Sequence, residues 1–326
     1  MGIVLKSVGS SFPKRVVKNE ELTQLIETSD QWIRERSGIE QRYIATDESN
    51  LDMAKAAAEE ALYNKGNPIA KEDIDLLIFC TVTPDQIVPS MSSMLKMEMD
   101  LPNAIAFDIN AACSAFVYAM WMAESLIATG KGKTALIVCA ERLSRVLSWE
   151  DRGTCILFGD GAGAAVIKDE PLKQGIMGSY IKNYDDTEGA LSIGMDYYEI
   201  PFHKDEKSHM TMKMSGNQVF KFAVTSMTDA IQKVLDQTGI SADEIKYYVP
   251  HQANYRIIKS AAKRFNQPLD KFQISVQKHA NVSAATIPIA LKELINDSTK
   301  KLKSGDKIMI AGFGGGLSAA AMLIEI

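Results

Sequence analysis

The stretch Ala104–Gly130 reads AIAFDINAACSAFVYAMWMAESLIATG. It opens as an apolar strand and passes a short polar turn at Asp108–Asn110. It continues as a helix of about four turns that stops at Gly130, a common residue just past a helix end. Glu124 is the only charge in that helix, and a helix apolar nearly all the way round is buried in a larger protein. Cys113 stands where the helix begins. A buried helix start aims unpaired N–H groups and the positive end of the macrodipole at the sulfur, a setting that lowers a thiol pKa and makes a nucleophile. The other reading of Cys113 is a small buried hydrophobe. This stretch alone does not choose between them.

The surrounding chain bounds the choice. Its 326 residues, 46% hydrophobic and 24% charged, suffice for one large domain or two smaller ones. No apolar run reaches ~18 residues without a charge, so no membrane span is expected. The opening MGIVLKSVGSSFP reads as a strand and a turn, not a signal peptide, and Lys6 breaks the myristoylation pattern. Cys80, Cys113, Cys139 and Cys155 are widely spaced with no CxxC, which points away from a disulfide scaffold or zinc site and toward a cytoplasmic protein. A net charge of −5 argues against general nucleic-acid binding.

Apolar strands alternate with helices along the chain: Leu76–Val82, the opening stretch, Thr134–Glu141 and Ala164–Lys168, with helices at Asn19–Glu27 (capped by Asn19) and Leu51–Tyr63. The pattern is α/β with a buried sheet. Residues 183–215 break it. They are polar and Met-rich, and a connection of that length is a lid, a substrate-facing excursion or a mobile link. His203 and His209 within it lack cysteine or carboxylate partners at ligand spacing, so no metal site is expected. Beyond residue 215 the first half repeats. Val219–Gln237 and SADEIKYYVPHQAN mirror Leu51–Tyr63 and AKEDIDLLIFCTVTP, pairing Cys80 with His251. Cys113 lies 33 residues after Cys80, and Asn281 lies 30 after His251. Both precede a small-residue helix, an apolar strand and a glycine-rich segment. We read two similar halves, 1–175 and 176–326, with Cys113 and Asn281 facing each other across a pseudo-twofold axis.

His251 stands where the strand Tyr247–Val249 ends, the side of an α/β sheet at which ligands bind. Singly, His251 also reads as a satisfied core histidine and Asn281 as an N-cap. Together with Cys113 they make a nucleophile with two polar partners. The GFGGG run, Gly312–Gly316, offers bare N–H groups for an oxyanion hole with the Cys113 N–H. GDGAGAA (Gly159–Ala165) has the letters of a dinucleotide fingerprint in the wrong context and reads as a turn with close packing. On the helix Tyr255–Phe265, Arg256, Lys259 and Lys263 form a basic stripe with Arg264 beside it. The stripe reads as a solvated face or as a docking site for an acidic partner.

Eight stretches in order, TSDQWIRERSGI, FDINAACSAF, DRGT, FGDGAGAA, MSGNQVFK, VPHQANYRII, HANVSAATIP and GFGGG, resemble the β-ketoacyl-acyl-carrier-protein synthase III family of the thiolase-like superfamily. The resemblance implies an α/β five-layer αβαβα fold, a homodimer, and a cytoplasmic enzyme without a cofactor. The reaction it implies joins an acyl-CoA primer to malonyl-acyl-carrier protein. It implies Cys113 as acyl acceptor, His251 and Asn281 as the pair that stabilises the enolate, and the Cys113 and Gly315 N–H groups as oxyanion hole. Trp32, Arg36, Arg152, Asn254, Gly216 and Phe220 match CoA contacts. Lys221, Gln252, Arg256, Lys263 and Arg264 match the surface that docks acyl carrier protein. Val88 matches a primer-pocket position that is often aromatic in the family, so longer or branched primers are expected to fit.

The chain departs from the family pattern at two places. HGNTS reads His279-Ala280-Asn281-Val282-Ser283, and the residue after Cys113-Ser114 is Ala115 in place of glycine. A condensing enzyme of secondary metabolism, with a different primer or acceptor, is the alternative on the same fold. The bare triad also fits a Cys-His-Asn hydrolase, which the repeat and the basic stripe do not support.

Overall fold

The apolar runs assemble into two sheets in the computed structural model, which describes residues 2–63, 67–194 and 211–326. His203 and His209, considered above as metal ligands, lie outside the described residues. The first sheet has the order Ile3–Ser11, Asp160–Asp169, Thr134–Arg142, Leu76–Cys80, Ile105–Ile109. Leu76–Cys80 runs parallel to both neighbours, while Asp160–Asp169 runs antiparallel to both of its own. The second sheet has the order Ile176–Asn183, Ser318–Glu325, Lys307–Gly314, Ile245–Pro250, with the same alternation of direction. A parallel bridge between Tyr248 and Phe272 marks the place of a fifth strand.

Three helical layers enclose the sheets. Asn50–Tyr63 covers the outer face of the first, and Gly216–Thr238 that of the second. Ala115–Ala128 and Thr286–Asn296 lie between them and touch strands of both. This is the expected αβαβα sandwich. It explains why Leu76–Cys80 shows no alternation: both of its faces are covered, and all five residues are buried. Burying Phe116, Met120 and Ile287 in the middle layer contributes about 1.5–3 kcal/mol each. No helix among the described residues is long and apolar enough to cross a membrane.

Several sequence expectations change. The central helix begins at Ala115, after a one-turn 3-10 segment Ala112–Ser114. Its outer side is open, with Trp121 44% exposed, and on the edge strand Ile105–Ile109 the residue Ile105 is also exposed. Gly159–Ala165 is no turn: all but Gly159 lie in the strand Asp160–Asp169. Gly163 is needed for close approach there, since a Cβ would come within 2.8 Å of Pro288 Cγ in the opposite half. Asn19 is no cap either. Lys18 takes that position, and the buried Asn19 side chain donates to Asp30 and the Ile39 carbonyl and accepts from Arg42.

The repeat is also offset from its first reading. Asn110 Oδ1 accepts the Ala112 N–H at 3.2 Å, and Asn281 Oδ1 accepts the Ser283 N–H at 2.8 Å. Ala112 and Ser283 each carry a positive φ, 46° and 48°, and each opens a 3-10 turn into a middle-layer helix. Asn110 is therefore the counterpart of Asn281, each standing 30 residues after Cys80 or His251. Cys113 corresponds to Ala284. The two turns do meet at the centre, but Cys113 and Asn281 come from different levels of them.

Candidate active site

Cys113, His251 and Asn281 line one cavity of about 360 Å³ and are 7%, 1% and 6% exposed. The turn Ala112–Ser114 holds Cys113, and the end of the strand Lys307–Gly314 is pressed against that turn. A Cβ on Gly314 would come within 2.8 Å of the Cys113 nitrogen and 3.2 Å of the Ser114 nitrogen, both backbone atoms. Gly314, not singled out from sequence, is thus the glycine that the nucleophile turn requires. Gly315 follows it in the turn, where a Cβ would face Leu191. Replacing Gly314 with Ala displaces the turn, and a misplacement of this kind costs about 10²-fold in rate. The expected result is that loss in kcat/KM with the circular-dichroism spectrum retained; an unchanged kcat/KM contradicts it.

The thiol is not activated as expected. Burial pushes Cys113 up to about 12, against a weaker opposing hydrogen bond with the Ser283 hydroxyl, whose Oγ lies 3.5 Å from Sγ. The cost of placing a charge in the closed site outweighs what the backbone N–H supplies. His251 extends its strand by one more bond, its N–H donating to the Ala311 carbonyl at 2.7 Å. Its ring stands edge-on to Phe313, and Nδ1 lies 2.6 Å from Thr286 Oγ1. Burial holds the imidazole down to about 3, so the ring is neutral, and Nε2 is buried without a partner among the described residues. Asn281 Oδ1 is engaged by Ser283, so the group it can offer a ligand is its NH2.

The cavity mouth is aromatic and basic. Trp32 lies under two guanidiniums, with Arg152 Cζ 4.8 Å and Arg36 Cζ 5.6 Å from the ring centroid. Arg256 lies over Phe220 at 5.5 Å. Asn254 caps the helix Tyr255–Arg264 through the Arg256 N–H and donates to the Arg36 carbonyl. Gly216 opens the helix beside Phe220, and all of these residues line the same cavity. Lys221, Arg256, Lys263 and Arg264 are exposed. Gln252 is not. It is 1% exposed; its amide donates to the Pro250 and Gln273 carbonyls and accepts the Ser275 and Val276 N–H groups, so it serves the interior and is removed from the docking surface. Val88 is 82% exposed next to exposed Ile87 and does not line this chain's own cavity.

Four further residues escaped the sequence reading: Thr286 on His251, Ser283 on Cys113, Phe313 against the imidazole ring, and Glu141, fully buried at the end of a central strand. The signal was present for Glu141, a carboxylate at the end of the apolar run Thr134–Ala140. The others take their meaning only from the fold.

Residues 107–184 match the family model for 3-oxoacyl-[acyl-carrier-protein] synthase III, and residues 235–326 match the model for its C-terminal part. The chain is 43% identical to a β-ketoacyl-[acyl-carrier-protein] synthase III of Clostridium beijerinckii, over 99% of both chains. It is 40% identical to the protein of that name from Aquifex aeolicus, over 100% of both. The crystal structure of 3-oxoacyl-[acyl-carrier-protein] synthase III from Aquifex aeolicus superposes with a TM-score of 0.92 at 38% identity, covering 100% of both chains. The priming β-ketosynthase of the R1128 polyketide pathway gives 0.92 at 31% identity, covering 100% of this chain and 96% of that one. The fold is that of the thiolase-like condensing enzymes. The chain belongs to the β-ketoacyl-[acyl-carrier-protein] synthase III family, whose members are decarboxylating acyltransferases.

Proposed function

We propose that the chain takes an acyl group from acyl-CoA onto Cys113 and condenses it with malonyl-acyl-carrier protein. The products are β-ketoacyl-carrier protein, CoA and CO2, and the step starts fatty-acid synthesis. The observation that carries this reading is the meeting of Cys113, His251 and Asn281 on one cavity whose mouth sets Trp32 under two arginines. An adenine ring is suited to stacking at such a mouth, and the pantetheine arm of CoA to the cavity behind it. Cys113 attacks the thioester carbonyl, and the Cys113 and Gly315 N–H groups stabilise the oxyanion.

In the second half-reaction the malonyl thioester oxygen accepts from Asn281 NH2 and from His251 Nε2–H. This needs the tautomer in which Thr286 Oγ1–H donates to His251 Nδ1. The single Thr286 hydroxyl proton is shared between the Ser283 carbonyl at 3.1 Å and His251 Nδ1 at 2.6 Å. Donation to the nearer Nδ1 leaves the ring proton on Nε2. Loss of CO2 leaves an enolate held by these two neutral donors, and its carbon attacks the acyl-Cys113 carbonyl. The donors interact most strongly with charge that exists only near the transition state, which is where they accelerate the step.

The exposed cations Lys221, Arg256, Lys263 and Arg264 beside the mouth fit an acidic carrier protein. The open flank at Ile105 and Trp121 and the protruding Ile87-Val88 support a homodimer in which Val88 enters the partner's primer pocket. In this reading the halves are 1–175 and 176–326, no cofactor or metal takes part beyond the two thioester substrates, no nucleic acid or membrane is bound, and the enzyme works in the cytoplasm. A panel of acyl-CoA primers with malonyl on carrier protein or on CoA, read by mass spectrometry, tests it. The expected product is β-ketoacyl-carrier protein, formed from acetyl-, isobutyryl- and hexanoyl-CoA at similar rates. A sharp fall beyond acetyl removes the Val88 argument, and preference for malonyl-CoA favours a secondary-metabolic role like that of the R1128 priming enzyme.

A further inference from the structure

The backbone of Asn281 is bridged to the segment before the strand Asp160–Asp169. Its N–H donates to the Leu157 carbonyl at 2.9 Å, and its carbonyl accepts the Gly159 N–H at 3.1 Å. The residue before it, Ala280, is buried and has φ 59° and ψ −163°. Glycine adopts that backbone freely and alanine does not, so Ala280 is strained. A strained residue keeps its conformation only while its surroundings hold it there. Ala280 stands where the family pattern has glycine, so this chain carries a strain that the pattern avoids.

His279 holds it from the other side. The ring is buried and stacks on Phe12, with centroids 4.3 Å and planes 10° apart. Nε2 lies 2.8 Å from Glu293 Oε1. A carboxylate oxygen accepts, so Nε2 donates. Nδ1 is buried without a partner among the described residues, which leaves the bond to Glu293 as the ring's polar anchor there. Glu293 lies on the helix Thr286–Asn296, which follows the Asn281 turn. That helix is itself tied to the first half, because the adjacent Lys292 bonds Ser10 Oγ at 3.0 Å and the Glu60 carboxylate. The His279–Glu293 bond therefore joins the segment before Asn281 to the helix after it, with Ala280 and Asn281 inside the loop it closes.

We propose that His279 is a positioning residue for Asn281: its bond to Glu293 holds Ala280 in the strained backbone that sets the Asn281 NH2 toward the reacting thioester. This rests on the reading of Asn281 as a donor to the malonyl thioester oxygen. His279 is not among the residues that line the cavity, so it acts through Asn281 alone. Releasing it lets Ala280 relax toward an ordinary negative φ, and the Asn281 side chain turns with the backbone. The enolate then loses one of its two donors. The proposed oxyanion hole for acyl loading, the Cys113 and Gly315 N–H groups, is untouched. The deficit falls on the rate of condensation and not on the binding of malonyl-acyl-carrier protein, since the Asn281 bond is strongest near the transition state.

Single-turnover condensation on the acyl-enzyme of the full chain, with malonyl-acyl-carrier protein varied, tests the clamp. His279→Phe keeps a ring on Phe12 and removes the donor, and the partly exposed Glu293 turns to water. The limiting condensation rate is expected to fall about 10²-fold, with half-saturation and acyl loading each within about threefold of wild type. His279→Gln brings an amide N–H close to the place of Nε2 and is expected to condense within about threefold of wild type. Glu293→Ala leaves the ring and its stack in place and gives the same loss as His279→Phe, so it decides if His279→Phe fails to fold. Ala280→Gly supplies a readout that a merely structural role does not move. Glycine keeps this backbone without the clamp, so added to His279→Phe or Glu293→Ala it is expected to recover about tenfold or more of the lost rate. A full condensation rate in folded His279→Phe or Glu293→Ala, a His279→Gln variant as impaired as His279→Phe, an equal loss in acyl loading, or no recovery with glycine overturns the clamp. Wild-type acyl-enzyme that fails to condense, or Asn281→Ala that condenses at the full rate, instead refutes the proposed function on which the clamp depends.

Discussion

Cys113→Ser is expected to abolish acyl loading from radiolabelled acyl-CoA, by about 10⁴-fold or more. Serine is slightly smaller than cysteine and fills the same buried site, so the fold survives and the loss is chemical. The thiol is already held up at about 12 by burial, and a hydroxyl gives up its proton far less readily in the same place. Cysteine is also the more nucleophilic atom and the better leaving group when the enolate arrives, so both half-reactions suffer. Denaturation midpoints of the two forms are expected to agree. Loading retained in the serine variant removes Cys113 from the mechanism.

His251→Ala is expected to separate the half-reactions. Acyl loading is expected to persist, because the proposed oxyanion hole for that step uses the Cys113 and Gly315 N–H groups and takes nothing from the imidazole. Condensation falls by about 10²–10³-fold, the usual cost of removing one oxyanion donor. The effect is confined to kcat of the second step, since the enolate charge that Nε2 stabilises is absent from the bound ground state. Asn281→Ala carries the same loss together with a smaller deficit in loading, because Asn281 Oδ1 also ties down the Ser283 N–H at 2.8 Å, and Ser283 touches the thiol. The readout is single-turnover formation of β-ketoacyl-carrier protein against decay of the labelled acyl-enzyme. Equal loss of both half-reactions in His251→Ala contradicts the division of roles.

The sandwich and its duplication were legible because strands covered on both faces read as unbroken apolar runs, and the runs recur in order. The register of the repeat was not. A three-residue difference in spacing, 33 against 30, was read as the same level of two helices. The structure puts the matching level at Asn110 and Asn281, whose side chains close identical turns. Strand glycines such as Gly163 were misread as turn residues because the need for them comes from Pro288, 125 residues further on. Gln252 is placed on the docking surface by the family resemblance alone, and three of its four backbone partners are set only once the Gln273–Val276 segment folds over it. The thiol setting was misjudged for a physical reason: position at a helix start is written in the sequence, whereas depth of burial is not. Ser283 meets Cys113 across the junction of the halves, and Thr286 meets His251 from 35 residues further along the chain, so no local pattern announces them.

The most direct test of the central claim is a single-turnover experiment on the wild-type chain, followed by intact mass and peptide mapping. Acyl-CoA alone is expected to add one acyl group to Cys113 with stoichiometric release of CoA. Malonyl-acyl-carrier protein added afterwards is expected to remove that group and yield an equal amount of β-ketoacyl-carrier protein. Product formed without an acyl group on Cys113, or an acyl group mapped to another residue and consumed at the same rate, would contradict the account.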